Sequence, residues 1–424
     1  MQFNQRKLDN GLSIVTIPMV DNPAVTVLVM VSAGSKYETK NINGISHFLE
    51  HMVFKGTKKR PKAIDISKEL DSLGAQYNAL TSQEYTGYYA KSDPEHLDTI
   101  LDIVSDIYLN PLLDTKEIEK EKGVIIEEIK MYQDMPNYHI ADVFMNLIYG
   151  DQPAGWNIAG TEDNVKSFNE ESLLEYVKQH YVAEATTVIV SGSFNEENVL
   201  NKIKEKFSNI SINKKLDKVK VKEEQNTPNI LIKYKETDQA HLILGFRSFD
   251  AKSKYDPSLN VLATLLGKGM SSRLFQKLRD EMGVCYYIRA NQDSYTDHGI
   301  FSISAGVDTK RIKEVISVLL SECMKIINDP IDKDEIKKVK SYICGSFMLS
   351  LETSDARAEY AALDTILKGN IISPEEEIEK IQSINEDMIK DIAKRIFIDE
   401  NLNLAIIGPY KDKEEFKNIL TFKN

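Results

Sequence analysis

Cysteine is scarce in this chain. Its 424 residues include three, Cys285, Cys323 and Cys344, and these are widely scattered. That pattern excludes a disulfide frame and a cysteine zinc cluster, and it suits a reducing compartment. Long apolar runs are also missing. None approaches the roughly 20 residues that span a bilayer, so no membrane partner is expected. The first residues, Met1 to Lys7, carry neither an apolar signal core nor an Arg/Ser-rich presequence. A bacterial cytoplasmic location is therefore expected. Positive charge is the minority: 53 Lys and Arg stand against 65 Asp and Glu, a formal net charge of −12. With no basic patch, nucleic-acid binding is not expected, and basic peptides suit such a charge better. Gly267-Lys268-Gly269 lacks the rest of a phosphate loop, which excludes nucleotide binding.

What is present is His47-Phe48-Leu49-Glu50-His51, an H-x-x-E-H run. Two histidines four apart on a helix project from one side, where a single zinc ion can take both. The acid between them can take a proton from a zinc-bound water. The order reverses the commoner H-E-x-x-H motif of metallopeptidases. A helix fits the surroundings. Asn43 or Ser46 is the expected N-cap, and Gly56 a stop. Phe48, Leu49, Met52 and Val53 fall on the face opposite His47, Glu50 and His51.

Catalytic zinc usually has three protein ligands and one water, so one more ligand is needed. A helical pattern covers residues 114 to 132, capped by Asp114 or Thr115, with Ile118, Val124, Ile125 and Ile129 as its buried face. Glu121 and Glu128, two turns apart, lie on or beside that face. A carboxylate buried there needs a cation, either a metal or a buried Lys or Arg. Glu127 turns to the charged side with Lys120, which favours Glu128 as the ligand.

These motifs resemble the pitrilysin/insulinase family of zinc metallopeptidases, in the short branch of the mitochondrial processing peptidase β subunit and its bacterial homologues. The resemblance runs through Leu8-Asp9-Asn10-Gly11-Leu12, Gly34-Ser35-Lys36-Tyr37-Glu38, H-x-x-E-H and Glu121-x6-Glu128. It implies one zinc per chain held by His47, His51 and Glu128, with Glu121 supporting them and Glu50 as the base. Gly74 to Ser82 is similar to the family's substrate-holding edge strand, which implies peptide contacts from Asn78, Ala79, Leu80 and Thr81 by strand addition. Ser271-Ser272-Arg273-Leu274 through Tyr286 is similar to the family's second-domain signature. It implies that Arg279 and Tyr286 reach the scissile carbonyl, where one oxyanion donor lowers a barrier by about 3–4 kcal/mol. Tyr287 is the competing assignment. Relatives in this branch enclose a chamber between two chains, which implies a homodimer.

Residues 211 to 228 are rich in Lys, Glu and Asn and lack an apolar stripe. The expected division is a zinc domain over 1–212, a linker over 213–228 and a homologous second domain over 229–424. The halves echo each other: Val27-Leu28-Val29-Met30-Val31 matches Leu242-Ile243-Leu244-Gly245-Phe246, and Pro111 to Ile118 matches Pro330 to Ile336. On that match Glu121 and Glu128 fall on Val339 and Ser346, so the second half lacks the zinc acids. The expected class is α+β: two homologous α/β sandwiches of the metallohydrolase type found in processing peptidases, each a mixed sheet with helices largely on one face. The expected function is a zinc metalloendopeptidase acting on extended or unfolded peptides in an enclosed cleft. The rivals are a silent scaffold subunit of a processing complex, which the intact motif disfavours, and a zinc hydrolase of a non-peptide substrate.

Overall fold

Runs rich in Val, Ile and Leu, such as Val25–Val31 and Leu402–Gly408, are buried along their whole length and form the centres of two mixed sheets. The structure, a computed structural model, describes residues 1–422. The first sheet contains β1 (Asn4–Lys7), β2 (Ser13–Pro18), β3 (Val25–Val31), β4 (Gln76–Thr81), β5 (Thr86–Ser92) and β6 (Thr186–Gly192), ordered β1-β2-β6-β3-β5-β4. The second contains β7 (Asn229–Tyr234), β8 (Gln239–Ser248), β9 (Cys285–Ser294), β10 (Gly299–Asp308) and β11 (Leu402–Gly408), ordered β7-β11-β8-β10-β9.

Without β1, the two orders correspond strand for strand. Each has one parallel pair, β2 with β6 and β7 with β11, and antiparallel pairs elsewhere. The sequence echo between residues 27–31 and 242–246 falls on β3 and β8, which hold the same place in the two sheets. The expected α+β class with two related mixed sheets is what the chain adopts.

Alternation along β3 sends its side chains to two cores. Val25, Val27, Val29 and Val31 face a large core to which several helices contribute, among them α1 (Ile45–Met52), α2 (Ala63–Ser72), α3 (Leu97–Leu109) and α4 (Thr115–Asp134). Phe48, Ile66, Val104 and Ile125 are their contributions. Burying each such side chain contributes about 1.5–3 kcal/mol. Leu28 and Met30 face the other way, against Ala358, Ala361 and Ala362 of the helix Ser354–Leu363. Its small side chains let that helix lie close to the sheet. Its start is fixed by Thr26 Oγ1 to Ser354 Oγ at 2.8 Å and by Lys91 to Asp355 at 2.7 Å.

The packing does not follow the chain linearly. One compact unit consists of Met1–Lys130, Trp156–Val219 and Leu349–Ile371. The other consists of Met131–Gly155, Lys220–Met348 and the chain from Ile372 onward. Thus α5 (Pro136–Tyr149) packs Ile140, Val143 and Phe144 on Ile243, Ala405 and Ile407 of the second sheet. The expected domains of 1–212 and 229–424 differ from this, because periodicity marks an apolar helix face but not the sheet that covers it. Among the described residues no helix is long and apolar enough to cross a membrane.

Candidate metal centre

The helix α1 begins where the backbone turns left-handed. Gly44 has φ of 101°, and a Cβ there would stand 2.6 Å from the Ala159 carbonyl oxygen. Neither expected N-cap acts as one. Instead the buried Glu38 carboxylate accepts from Gly44 N at 2.7 Å, Ser46 N at 2.8 Å, Ser46 Oγ at 2.6 Å and Asn43 Nδ2 at 3.0 Å. An acid at the helix N-terminus also meets the positive end of the helix dipole. The loop after Trp156 closes over this start, with Asn43 Nδ2 donating to the Asn157 carbonyl at 3.0 Å. Glu38→Ala strands two buried N–H groups and two side-chain donors. At about 1–3 kcal/mol for each buried orphan, we expect a loss of about 3 kcal/mol or more, read from Trp156 fluorescence during urea unfolding. A loss below about 1 kcal/mol would mean another group caps the helix.

From that start, Ile45, Phe48, Leu49 and Met52 go into the core, while His47, Glu50 and His51 line the partly open side. The second helix, α4, is capped by Asp114 Oδ1, which accepts from Lys116 N at 2.8 Å and Glu117 N at 3.2 Å. It buries Ile118, Glu121, Ile125 and Ile129. Val124 is not on that face: it is 52% exposed. Glu127 is exposed, on the charged side as expected, and pairs with Lys130 at 2.9 Å.

The two helices bring His47, His51 and Glu128 together. Glu128 Oε2 lies 3.7 Å from His47 Nε2 and 3.6 Å from His51 Nε2. Ligands about 2.0–2.1 Å from a tetrahedral zinc stand about 3.3–3.4 Å apart, so this spacing fits the ion with little adjustment. Two imidazoles and one carboxylate are also a suitable donor set, and the three offer ligand atoms within 4.8 Å of one another. Among the described residues this is the one such group. His51 has its other nitrogen taken, with Nδ1 2.8 Å from Glu121 Oε1, so Nε2 is left for a metal. Glu121 is shared: its Oε2 accepts from Lys55 Nζ at 2.6 Å. A lysine partner for Glu121 thus exists alongside the histidine, although Lys55 is only half-buried, not the buried cation considered for these acids.

The electrostatics suit a cation. Burial and the neighbouring His51 push His47 down to about 4, leaving a neutral imidazole able to ligate. Burial alone would lower His51, but its bond to Glu121 and the charges of Glu128 and Glu50 carry it above its usual value. Burial works against the Glu121 charge, yet His51 and Lys55 hold that carboxyl below its usual range. Burial lifts Glu50, with the Thr81 side chain and His51 acting in the opposite direction.

Thr81 belongs to β4, the end strand of its sheet, paired on one side with β5. Its neighbours Asn78, Ala79 and Leu80 lie on the same strand, with Asn78 exposed and Ala79 against the core. In the second unit, Arg279 and Tyr286 are brought to each other. Arg279 Nη1 donates to the Tyr286 carbonyl, and the guanidinium lies over the Phe275 and Tyr286 rings at 5.5 and 5.9 Å. Tyr286 is 70% exposed, whereas Tyr287 sets its hydroxyl 3.1 Å from His241 Nδ1. Tyr286 is the second residue of β9, which holds the end position in its sheet that β4 holds in the first. Sequence reasoning missed Glu38 and Lys55. The first is a non-local cap without a local signal; the second was visible as a lysine four residues beyond His51.

Comparison with known proteins agrees with this geometry. Residues 14–162 match the model of insulinase, peptidase family M16, and residues 167–343 match that of the peptidase M16 inactive domain. The chain is 34% identical to the uncharacterized zinc protease YmxG of Bacillus subtilis, over 94% of this chain and 97% of that one. It is also 34% identical to an uncharacterized zinc protease of Rickettsia felis, over 96% and 98%. In fold it resembles a protease from Helicobacter pylori, with a TM-score of 0.88 at 24% identity over 96% of this chain and 99% of that one. Two helices that gather His47, His51 and Glu128 beside Glu50, with a second half built on a related sheet, are accounted for by common descent: the chain belongs to the insulinase family of peptidases, M16.

Proposed function

We propose that this protein is a zinc-dependent endopeptidase that cleaves extended or unfolded peptides. The observation that carries this reading is the convergence of His47, His51 and Glu128 from two helices, with Glu50 on the same side and an open-edged strand adjoining it. Relatives named zinc proteases over nearly the whole chain support zinc as the metal. Bound by those three residues, zinc would act as a Lewis acid, lowering the pKa of water and polarising a carbonyl.

The chain's own residues supply the rest. Glu50, held between the two histidines, takes a proton from the attacking water and passes it to the leaving amine. Glu121 keeps the His51 ring oriented through its Nδ1. An extended peptide adds to the free edge of β4 along Asn78, Ala79, Leu80 and Thr81, so its backbone is read more than its side chains. Arg279 and Tyr286 donate to the carbonyl oxygen as negative charge develops there. Zinc at one ion per chain, a homodimer as the working assembly, a preference for basic peptides, and a bacterial cytoplasmic location belong to the same proposal.

The test is cleavage of an unstructured peptide set against folded proteins and ester substrates, before and after chelation. We expect peptide cleavage that a chelator abolishes and added zinc restores. Ester turnover without peptide turnover would establish the non-peptide hydrolase instead. Stoichiometric zinc with no turnover of any substrate would point to a scaffold subunit.

A further inference from the structure

We propose that Lys55 is a positioning residue for the metal centre, acting through Glu121 on His51. The inference rests on the reading of His47, His51 and Glu128 as metal ligands.

His47, His51 and Lys55 follow one another at intervals of four residues. The first two lie on α1, and Lys55 ends the short helical turn Val53–Lys55 that continues it. All three therefore project to one side. Gly56 stops that turn with φ of 148°, where a Cβ would meet the Pro61 carbonyl oxygen at 2.6 Å. The turn beyond it is closed by Thr57 N to Arg60 O at 2.7 Å. The lysine backbone is thus held at both ends.

Its ammonium is 2.6 Å from Glu121 Oε2, while Glu121 Oε1 is 2.8 Å from His51 Nδ1. Each carboxylate oxygen has one partner, so rotation of the carboxylate would break both contacts together. The Glu121 side chain is 4% exposed and the Lys55 side chain 29%. The carboxylate depends on these partners, whereas the lysine can be replaced without opening the core. The relay matters because the other ligand has no equivalent. His47 Nδ1 is buried without a protein partner, so of the two ligand imidazoles His51 is the one whose ring is steered through its far nitrogen. Lys55 fixes Glu121, Glu121 fixes the His51 tautomer and tilt, and Nε2 then meets the metal.

Positioning and simple charge predict opposite signs, which makes the idea testable. Taking a cation away from a Zn2+ site tightens binding if only long-range charge matters. Loosening Glu121 weakens it, as loss of such outer partners generally costs about 10–100-fold in metal affinity. The experiment is competition for Zn2+ between a chromogenic chelator and the full chain, as wild type, Lys55→Met, Lys55→Arg and Glu121→Gln, with thermal unfolding of the metal-free proteins alongside. We expect Lys55→Met to raise the zinc Kd by about 10–100-fold, Glu121→Gln to do the same or more, and Lys55→Arg to recover most of the affinity, with every metal-free variant still folded at the assay temperature. Unchanged or tighter zinc binding by Lys55→Met, while Glu121→Gln weakens it, overturns the proposal. So does equal loss in Lys55→Met and Lys55→Arg. Failure of the wild type to hold zinc would instead remove the metal reading beneath it.

Discussion

Glu50→Gln is expected to lower kcat/KM for peptide cleavage by about 10²–10⁴-fold, the usual contribution of a positioned general acid–base, while bound zinc stays at the wild-type level. The two halves of that result have separate causes. Glutamine matches glutamate in size and can keep its place among His47, His51 and Thr81, but it cannot accept a proton. Glu50 is not among the three residues that offer ligand atoms to a metal, so its loss leaves the donor set of His47, His51 and Glu128 whole. Glu128→Gln is the contrasting variant, expected to lose metal and activity together. Steady-state kinetics with metal analysis on the same samples decides the matter. Retained activity in Glu50→Gln would move the base elsewhere. Loss of zinc along with activity would place Glu50 in the coordination sphere and undo the division of roles.

Much of this centre was legible in the sequence because helical geometry is local. A step of four positions from His47 to His51, and of seven from Glu121 to Glu128, assigns faces without knowledge of the fold. The internal repeat was legible for a similar reason: two copies of one strand pattern had to form related sheets. What escaped was non-local. Asn43 and Ser46 have cap chemistry, yet both donate to Glu38, which only the folded loop brings to the helix start. Val124 fits an apolar periodicity but sits beyond the edge of the buried stripe through Ile118, Ile125 and Ile129. Helix α5 and the helix Ser354–Leu363 cover sheets that their positions along the chain do not announce. The ion network around Arg60 also joins residues far apart in sequence, and no spacing rule reveals it.

That network yields the second large effect. Arg60→Met is expected to destabilise the first unit by about 3–5 kcal/mol at neutral pH, the usual result of removing one partner from buried charges. The Arg60 guanidinium is 4% exposed and reaches three acids. It donates to Glu69 at 2.5 and 2.9 Å on α2, and to Asp102 at 2.8 Å and Asp106 at 2.9 Å on α3. Lys206 at 2.7 Å and Lys59 also pair with Asp102. Burial would raise Asp102, but Lys206, Lys59 and Arg60 together hold it well below the usual carboxylate range. A depressed folded pKa gives stability that is complete above the unfolded value of about 4 and is lost as pH falls through the folded value. Without Arg60 the acid protonates more readily in the folded state, so the variant's deficit is greatest at neutral pH and shrinks on acidification below about pH 4–5. Urea unfolding followed by Trp156, at pH 7 and near pH 4, measures both. Because the 57–60 turn that carries Arg60 directly follows the helix of His47 and His51, the variant is also expected to lose zinc at lower urea than wild type. A deficit under about 1 kcal/mol, as for an ordinary surface pair, or one that grows toward acid, would show that Arg60 does not hold these acids together.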